Sequence, residues 1–174
     1  MGLFDLFKRK KATTFDPSSS VYANEIEADF RRSDFLSKAA TAGHQAKAAV
    51  KEKRYDAAWK LYHQQKGYYM RHASRYGHSP RGALALDATV HEDLANILRL
   101  EGKHTDALVH IVYWVLAGAN RPIRRHQQKL RSYFNRCKFK NITLDEAQKE
   151  TASQSALPDL TLARSVVARW VGCG

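Results

Sequence analysis

Apolar residues recur every three or four positions along most of this chain, and that spacing constrains its fold more than any other feature. The stretch from Leu84 to Leu98 is the clearest case, because Ala88, Leu94 and Ala95 follow the order of one helix face. No segment alternates with the period of two that a half-buried strand needs. The 174 residues include nine glycines and four prolines, too few for the many turns of an all-β domain. We therefore predict an all-α protein.

Turn signals divide the chain into an arm and a helical region. Pro17 and the three serines after it indicate a linker, so we predict an arm over residues 1–20 and a single helical domain over residues 21–174. Thr143 and Glu146 form the pattern of a capping box, which marks a helix start. Helices are expected at about 22–30, 34–49, 55–76, 84–101, 105–116, 123–137, 144–151 and 159–171.

The basic surplus is concentrated in two blocks. The chain carries 29 Lys and Arg against 17 Asp and Glu, a formal charge of +12. Residues 35–76 have a net charge of +7, and residues 120–141 have a net charge of +8 without any acidic residue. Each block is either a solvated helix face or a binding surface for an acidic partner, meaning a nucleic acid, an anionic membrane or an acidic protein.

Composition also bears on location and cofactors. No apolar run approaches the roughly 18 residues of a membrane span. Two cysteines, Cys137 and Cys173, cannot make a disulfide framework, so we expect a cytoplasmic protein. The histidines and cysteines lack metal-ligand spacing, and no glycine-rich phosphate loop is present. We predict no metal and no cofactor.

The first eleven residues form an amphipathic, basic segment. Four apolar side chains lie on one side of a short predicted helix that ends in a basic tail. Contact with a membrane surface, packing on the protein's own body and a disordered arm are the three alternatives. The residues predicted to contact a membrane are Leu3, Phe4, Leu6 and Phe7.

An internal repeat is the most informative pattern. Segment 53–59 (KRYDAAW) superposes on segment 102–108 (GKHTDAL) at an offset of 49, which pairs Ala58 with Ala107. At these residues the chain resembles the tetratricopeptide repeat (TPR) family of helical hairpins. The resemblance implies stacked helical hairpins over about residues 35–172, two clear and one weak, followed by a C-terminal capping helix.

The resemblance also implies a binding groove and a function. In TPR-like arrays the first helix of each hairpin lines a concave groove that holds a peptide. Five of the seven lining positions carried over to this chain are basic, which suits an acidic protein or peptide segment. The leading hypothesis is a non-enzymatic adaptor. Its predicted groove residues are Lys47, Lys51, Asn96, Arg99, Lys129, Tyr133 and Arg136.

Sequence-nonspecific RNA or DNA binding is the main alternative. The second basic block places its charge on one helical face, which phosphates would favour. The aromatic residues Tyr133 and Phe134 fall with Leu130 on the other side, where we expect core rather than base-stacking platforms. The predicted nucleic-acid contacts are Arg121, Arg124, Arg125, Arg131, Lys138 and Lys140.

A ribonuclease is the minor alternative. Arg121 with His126, and Arg99 with His104, have the R-x4-H spacing that resembles the motif of the helical HEPN ribonucleases. The resemblance implies that such an Arg and His act on a scissile phosphate. Two pairs of this spacing are close to what chance gives in a chain with this composition, so we predict no enzyme.

Overall fold

The computed structural model describes residues 24, 25, 27, 34–120, 122–154 and 157–172. Contacts within the chain divide it into two units, Met1–Asp34 and Phe35–Gly174. In the first unit, Asn24, Glu25 and Glu27 are helical and exposed. The second unit contains the helices on which the rest of the account depends.

The described residues form helices joined by turns, with no strand among them, which confirms the predicted all-α fold. No helix in this part of the chain is long and apolar enough to cross a membrane. The helices of the second unit are α1 (Phe35–Lys51), α2 (Tyr55–Arg75), α3 (Pro80–Ala88), α4 (His91–Leu100), α5 (His104–Ala117), α6 (Arg124–Cys137), α7 (Leu144–Ala152) and α8 (Leu160–Gly172).

From α1 to α7 each helix packs against the next one in the chain, and several helices also contact α5. Helix α1 packs on α2, α4 on α5, and α5 on α6, while α2 also contacts α3 and α4. Helix α5 contacts α3, α7 and α8 as well. Most residues from Ala107 to Leu116 are buried, as expected for a helix with neighbours on every side.

The turns that join α1 to α2 and α4 to α5 have the same backbone geometry. Lys53 and Gly102 both have positive φ, at 59° and 79°. The residues after them, Arg54 and Lys103, have φ, ψ of −86°, 69° and −81°, 66°. In both turns that residue donates its backbone N–H at 2.9 Å to the carbonyl five positions earlier. The offset of 49 found in the sequence is therefore also an offset between two equivalent turns.

Small residues let the first two helices approach closely. Ala42, Ala46 and Ala49 of α1 are at most 3% exposed. A Cβ added at Gly43 would lie 2.9 Å from the Gln65 side chain of α2. Since alanine and glycine add almost no width, the α1–α2 interface is thin.

One predicted helix is two helices in the structure. The stripe from Leu84 to Leu98 indicated a single helix, but α3 ends at Ala88 and α4 begins at His91. At the junction, Thr89 donates both its backbone N–H (3.3 Å) and its hydroxyl (2.7 Å) to the Leu86 carbonyl. A threonine hydroxyl bonded to its own backbone competes with the regular helical bond, which accounts for the break.

The structure confirms the predicted capping box at the start of α7 and shows where the predicted capping helix, α8, packs. Thr143 and Glu146 form the expected capping box at the start of α7. Helix α8, predicted as the capping helix, packs back against α5. The buried indole of Trp170 donates to Glu150 of α7 at 2.6 Å. Helix α8 therefore closes the apolar core over α5 and is linked to α7 by a side chain.

Candidate functional site: the face shared by α1, α4 and α6

Three helices that each begin a helical pair lie side by side. Ala46 and Ala49 of α1 pack in one apolar cluster with Leu94 of α4. On its other side, α4 shares a second cluster with α6, in which Leu98 and Leu130 are buried. Glu92 of α4 pairs with Lys129 of α6, and Lys47 of α1 acts electrostatically on Asp93 of α4, so polar residues of the three helices adjoin each other. We call this surface the α1–α4–α6 face.

Ion pairs connect α4 to α6 across this face, and hydrogen bonds within α4 hold a further pair of side chains. Glu92 accepts from Arg125 at 2.5 Å and pairs with Lys129 at 3.0 Å. One turn along α4, Arg99 donates to the Asn96 side chain from both Nε and Nη2, at 3.2 and 2.7 Å. These contacts fix five polar side chains on two helices.

The contact between α1 and α4 is electrostatic. Lys47 is exposed and lies close enough to Asp93 to favour its charged form. Burial outweighs that attraction, with a further contribution from Glu92, so the pKa of Asp93 is above its usual value.

Most of the predicted groove residues are linked on this face, but not in the predicted charge pattern. Lys47, Asn96, Arg99 and Lys129 make the contacts above, and Tyr133 is buried with Arg99 near its hydroxyl. Burial is the main reason that the pKa of Tyr133 is raised. Its ring is core rather than an exposed contact.

Lys51 and Arg136 are exposed, and within the described ranges neither has a carboxylate within 4 Å. Together with Arg99, which is bonded to the neutral Asn96 side chain, they are the cations of this face without an acidic neighbour among the described residues. The other cations, Lys47, Lys129 and Arg125, have an acidic neighbour.

Sequence reasoning missed the two carboxylates of this face. Six cations, Lys47, Lys51, Arg99, Arg125, Lys129 and Arg136, surround Glu92 and Asp93, which leaves four net positive charges instead of a purely basic surface. The signal was available, because Glu92 lies four residues before Asn96 and seven before Arg99 on one helix face.

The predicted nucleic-acid contacts lie on the exposed side of α6 and just beyond it. Arg124, Arg131, Lys138 and Lys140 are exposed, whereas Arg125 is paired with Glu92. Arg121 lies outside the described residues. The buried side of α6 carries Leu130, Tyr133 and Phe134, as predicted for core residues.

The remaining candidate residues either lie outside the described part of the chain or form no common site within it. Leu3, Phe4, Leu6, Phe7 and Cys173 lie outside the described residues. Of the R-x4-H pairs, the His126 ring packs edge-on against Trp114, and Arg99 is bonded to Asn96. Cys137 is half-buried, and burial raises its thiol pKa to about 11, so the reactive thiolate is scarce at neutral pH.

A buried polar cluster joins α2, α3, α4 and α5. Asp87 accepts from the Tyr113 hydroxyl at 2.6 Å, pairs with Lys66 at 2.9 Å and lies 3.5 Å from His91 Nε2. His91 in turn contacts the His110 ring, with centroids 4.9 Å apart. His91 is 1% exposed, and Lys66 and Asp87 are its polar neighbours.

The ionisation of this cluster follows from burial and from hydrogen bonding. Burial opposes the charge on Asp87, but hydrogen bonds with His91, Tyr113 and Lys66 outweigh it and lower its pKa. Burial lowers the pKa of His110 to about 3 and lowers that of His91 less completely, because Asp87 opposes the shift. The cluster is therefore a carboxylate–ammonium pair surrounded by neutral imidazoles, which is an arrangement that fastens four helices together.

The comparisons with known proteins add no identity. No protein-family model matches the chain, and the comparisons with curated proteins and with solved structures found no match either. The function proposed below therefore rests on the geometry of the α1–α4–α6 face.

Proposed function

We propose that this protein is a non-enzymatic, TPR-like adaptor whose α1–α4–α6 face binds an acidic protein segment. The observation that carries the proposal is the adjacency of α1, α4 and α6, because it places cations from three separate helices on one surface. The equivalent turns at Lys53 and Gly102 support a repeated hairpin, which is how TPR-like arrays bring their first helices together.

Charge pairing on the face indicates where a ligand would bind. Glu92 already pairs with Arg125 and Lys129, so an incoming carboxylate gains most at Lys51 and Arg136, for which the described residues provide no carboxylate within 4 Å. Arg99 holds its guanidinium against Asn96 and is pre-oriented for a second acceptor. An extended acidic segment that pairs with these cations would bind through many exposed charges, so binding should weaken as salt rises.

The test uses a synthetic ligand and charge reversal at positions with no internal ion pair. A labelled twelve-residue peptide of glutamates spaced by leucine and alanine is titrated with the protein, and binding is followed by fluorescence anisotropy. Lys51→Glu with Arg136→Glu is expected to weaken binding at least tenfold and to leave the melting temperature unchanged, since both side chains are exposed.

The matched control is Lys60→Glu with Arg71→Glu on the exposed side of α2, which makes the same change in net charge. It is expected to weaken binding less than threefold, through the overall field alone. Equal loss in both double variants would contradict the assignment of the face, as would binding of the lysine counterpart of the peptide.

Backbone-level binding of RNA or DNA is the second candidate, favoured by the exposed side of α6. Arg124 and Arg131 line a shallow depression of about 270 Å³ together with two glutamines, and neither arginine has a carboxylate within 4 Å in the described part of the chain. Amides and arginines at this spacing suit a phosphate backbone.

A gel shift with a random-sequence oligonucleotide tests this candidate. A shift at low salt should disappear at moderately raised salt and in the Arg124→Glu, Arg131→Glu variant, because phosphate contacts release counterions. Absence of any shift at low salt would eliminate nucleic-acid binding, while the peptide titration would still decide the adaptor proposal.

A further inference from the structure

A cleft of about 520 Å³ opens beside α3 and is lined by residues other than those of the α1–α4–α6 face. Its apolar wall is formed by Leu84 and Ala88 of α3 and by Trp114 and Ala117 of α5. The volume lies within the range of small-molecule sites, and one aromatic ring with several small apolar side chains is the lining such sites have.

The cleft also has polar lining residues, among them Thr89 at the end of α3. Ser79 and Arg81, at the start of α3, line the cleft together with Asn120 and His126. Arg81 is the one formally charged residue among the described residues that line it, and none of these is acidic. A ligand that complements this arrangement carries negative charge at one end and an apolar body at the other.

The absence of a side chain at Gly118 allows the His126 ring to lie where it does. A Cβ at Gly118 would lie 2.1 Å from Cε1 of the His126 ring and 2.8 Å from Nε2, so only glycine lets the ring lie there. The ring stands at 88° to Trp114, with centroids 4.4 Å apart. Glycine at the end of α5 thus holds the imidazole in the wall of the cleft.

His126 also supplies a polar atom without a partner. The side chain is 6% exposed, and its Nδ1 accepts the Ile123 backbone N–H at 3.5 Å. That hydrogen bond assigns the proton to Nε2, for which no described residue provides an acceptor. Burial lowers the pKa of His126, which keeps the ring neutral near pH 7. His126 lines the cleft, so a ligand there can accept a hydrogen bond from this N–H.

We propose that this cleft binds a small molecule with a flat or acyl apolar body and a single anionic head. The apolar body packs against Trp114 and Ala88, the Arg81 guanidinium pairs with the head, and the His126 Nε2–H donates a hydrogen bond to it. The site is separate from the proposed adaptor function, because it shares no residue with the α1–α4–α6 face.

Isothermal titration calorimetry with the full chain tests the proposal. The probes are 1-naphthoate for a flat body and decanoate for an acyl body, with decylammonium as the probe of opposite charge. At least one anionic probe is expected to bind with one-to-one stoichiometry and to bind at least tenfold more tightly than decylammonium.

Two variants locate the site. Arg81→Ala should raise the Kd for the anionic probe about tenfold, and Ala85→Trp should abolish binding by filling the cleft from an exposed position of α3. Arg124→Ala removes an exposed arginine outside the cleft and should leave the Kd unchanged. Circular dichroism melts of all three variants verify that they remain folded.

Three results would overturn the proposal. The first is that neither anionic probe binds at millimolar concentration. The second is that decylammonium binds as tightly as decanoate, which would mean that apolar contact alone is being measured. The third is that Arg81→Ala and Ala85→Trp both fold and bind the anionic probe like the parent chain.

Discussion

The hairpins α1–α2 and α4–α5 share one turn geometry but bury different groups. The first packs through alanines, so its interface is thin and its inner residues are small. In the second hairpin, most residues of α5 are buried and many of them are aliphatic. The buried polar cluster around Asp87 links α3 and α4 to α2. The comparison teaches that the repeat determines the turn and the close approach of the helices. Position within the array determines what each hairpin buries.

Among the substitutions that test this contrast, one that breaks the buried polar cluster around Asp87 should have the largest effect on stability. Asp87→Ala leaves Lys66 and the Tyr113 hydroxyl without their buried partner, so we expect a loss of about 3 kcal/mol in the free energy of unfolding. Urea denaturation followed by circular dichroism measures it.

The control lies in the turn of the first hairpin. Glu52→Ala removes an exposed pair with Arg54 and should cost less than about 0.5 kcal/mol. If Asp87→Ala cost no more than this control, the cluster would not be what fastens the second hairpin.

The buried histidines should make stability depend on pH with a definite sign. The pKa of His110 is about 3 in the folded chain against an ordinary 6.5, so below pH 6.5 the unfolded chain binds protons that the folded chain does not. The stability contribution of His110 is complete above pH 6.5 and is lost as pH falls towards 3, by about 2 kcal/mol at pH 5.

Urea midpoints measured between pH 7.5 and 4.5 check this dependence. His110→Phe should flatten the decline, whereas substitution of the exposed His44 by Phe should not alter it. A parent profile that is flat between pH 7 and 5, or that rises as pH falls, would contradict the burial of neutral imidazoles.

Overpacking equivalent positions compares the two interfaces directly. Ala58 and Ala107 are paired by the repeat, and both are 0% exposed. Leucine at either position adds volume to a closed interface, and we expect Ala107→Leu to cost about 2 kcal/mol and Ala58→Leu about 1 kcal/mol. Thermal melts of the two variants decide the order. A larger loss at Ala58 would mean that the first hairpin is the more tightly packed.

Substitutions in the shared turn should have the smallest effects on stability, and the two effects should have opposite signs. Gly102→Ala forces a Cβ into a positive-φ conformation and should cost about 1 kcal/mol. Lys53→Gly relieves the same conformation in the first hairpin and should raise stability by up to about 1 kcal/mol.

Gly67→Ala is the control, since Gly67 lies within α2 and a Cβ there would meet nothing within 4 Å. This substitution should be stabilising, because alanine favours a helix. Changes of the same sign at Gly102 and Lys53 would contradict the equivalence of the two turns.

The sequence was sufficient for features encoded over short distances. The helical period, the capping box at Thr143 and the repeat that pairs Lys53 with Gly102 each depend on neighbouring residues. The buried side of α6 was equally predictable, because Leu130, Tyr133 and Phe134 fall on one helix face.

The missed features depend on residues far apart in the chain. Asp87 meets Lys66 and Tyr113 from 21 and 26 positions away, and no periodicity indicates which helices will enclose it. Glu92 changes the charge of the α1–α4–α6 face because it lies opposite Lys129 on another helix. The break at Thr89 depends on which backbone carbonyl the threonine hydroxyl reaches.

Hydrogen exchange with and without the acidic peptide tests most directly whether α1, α4 and α6 form one binding face. At saturating peptide, we expect slower amide exchange in α1, α4 and α6 together, and no change in α3 and α8. Protection confined to α2, α3 or α8, or an exchange pattern unaltered by bound peptide, would contradict it.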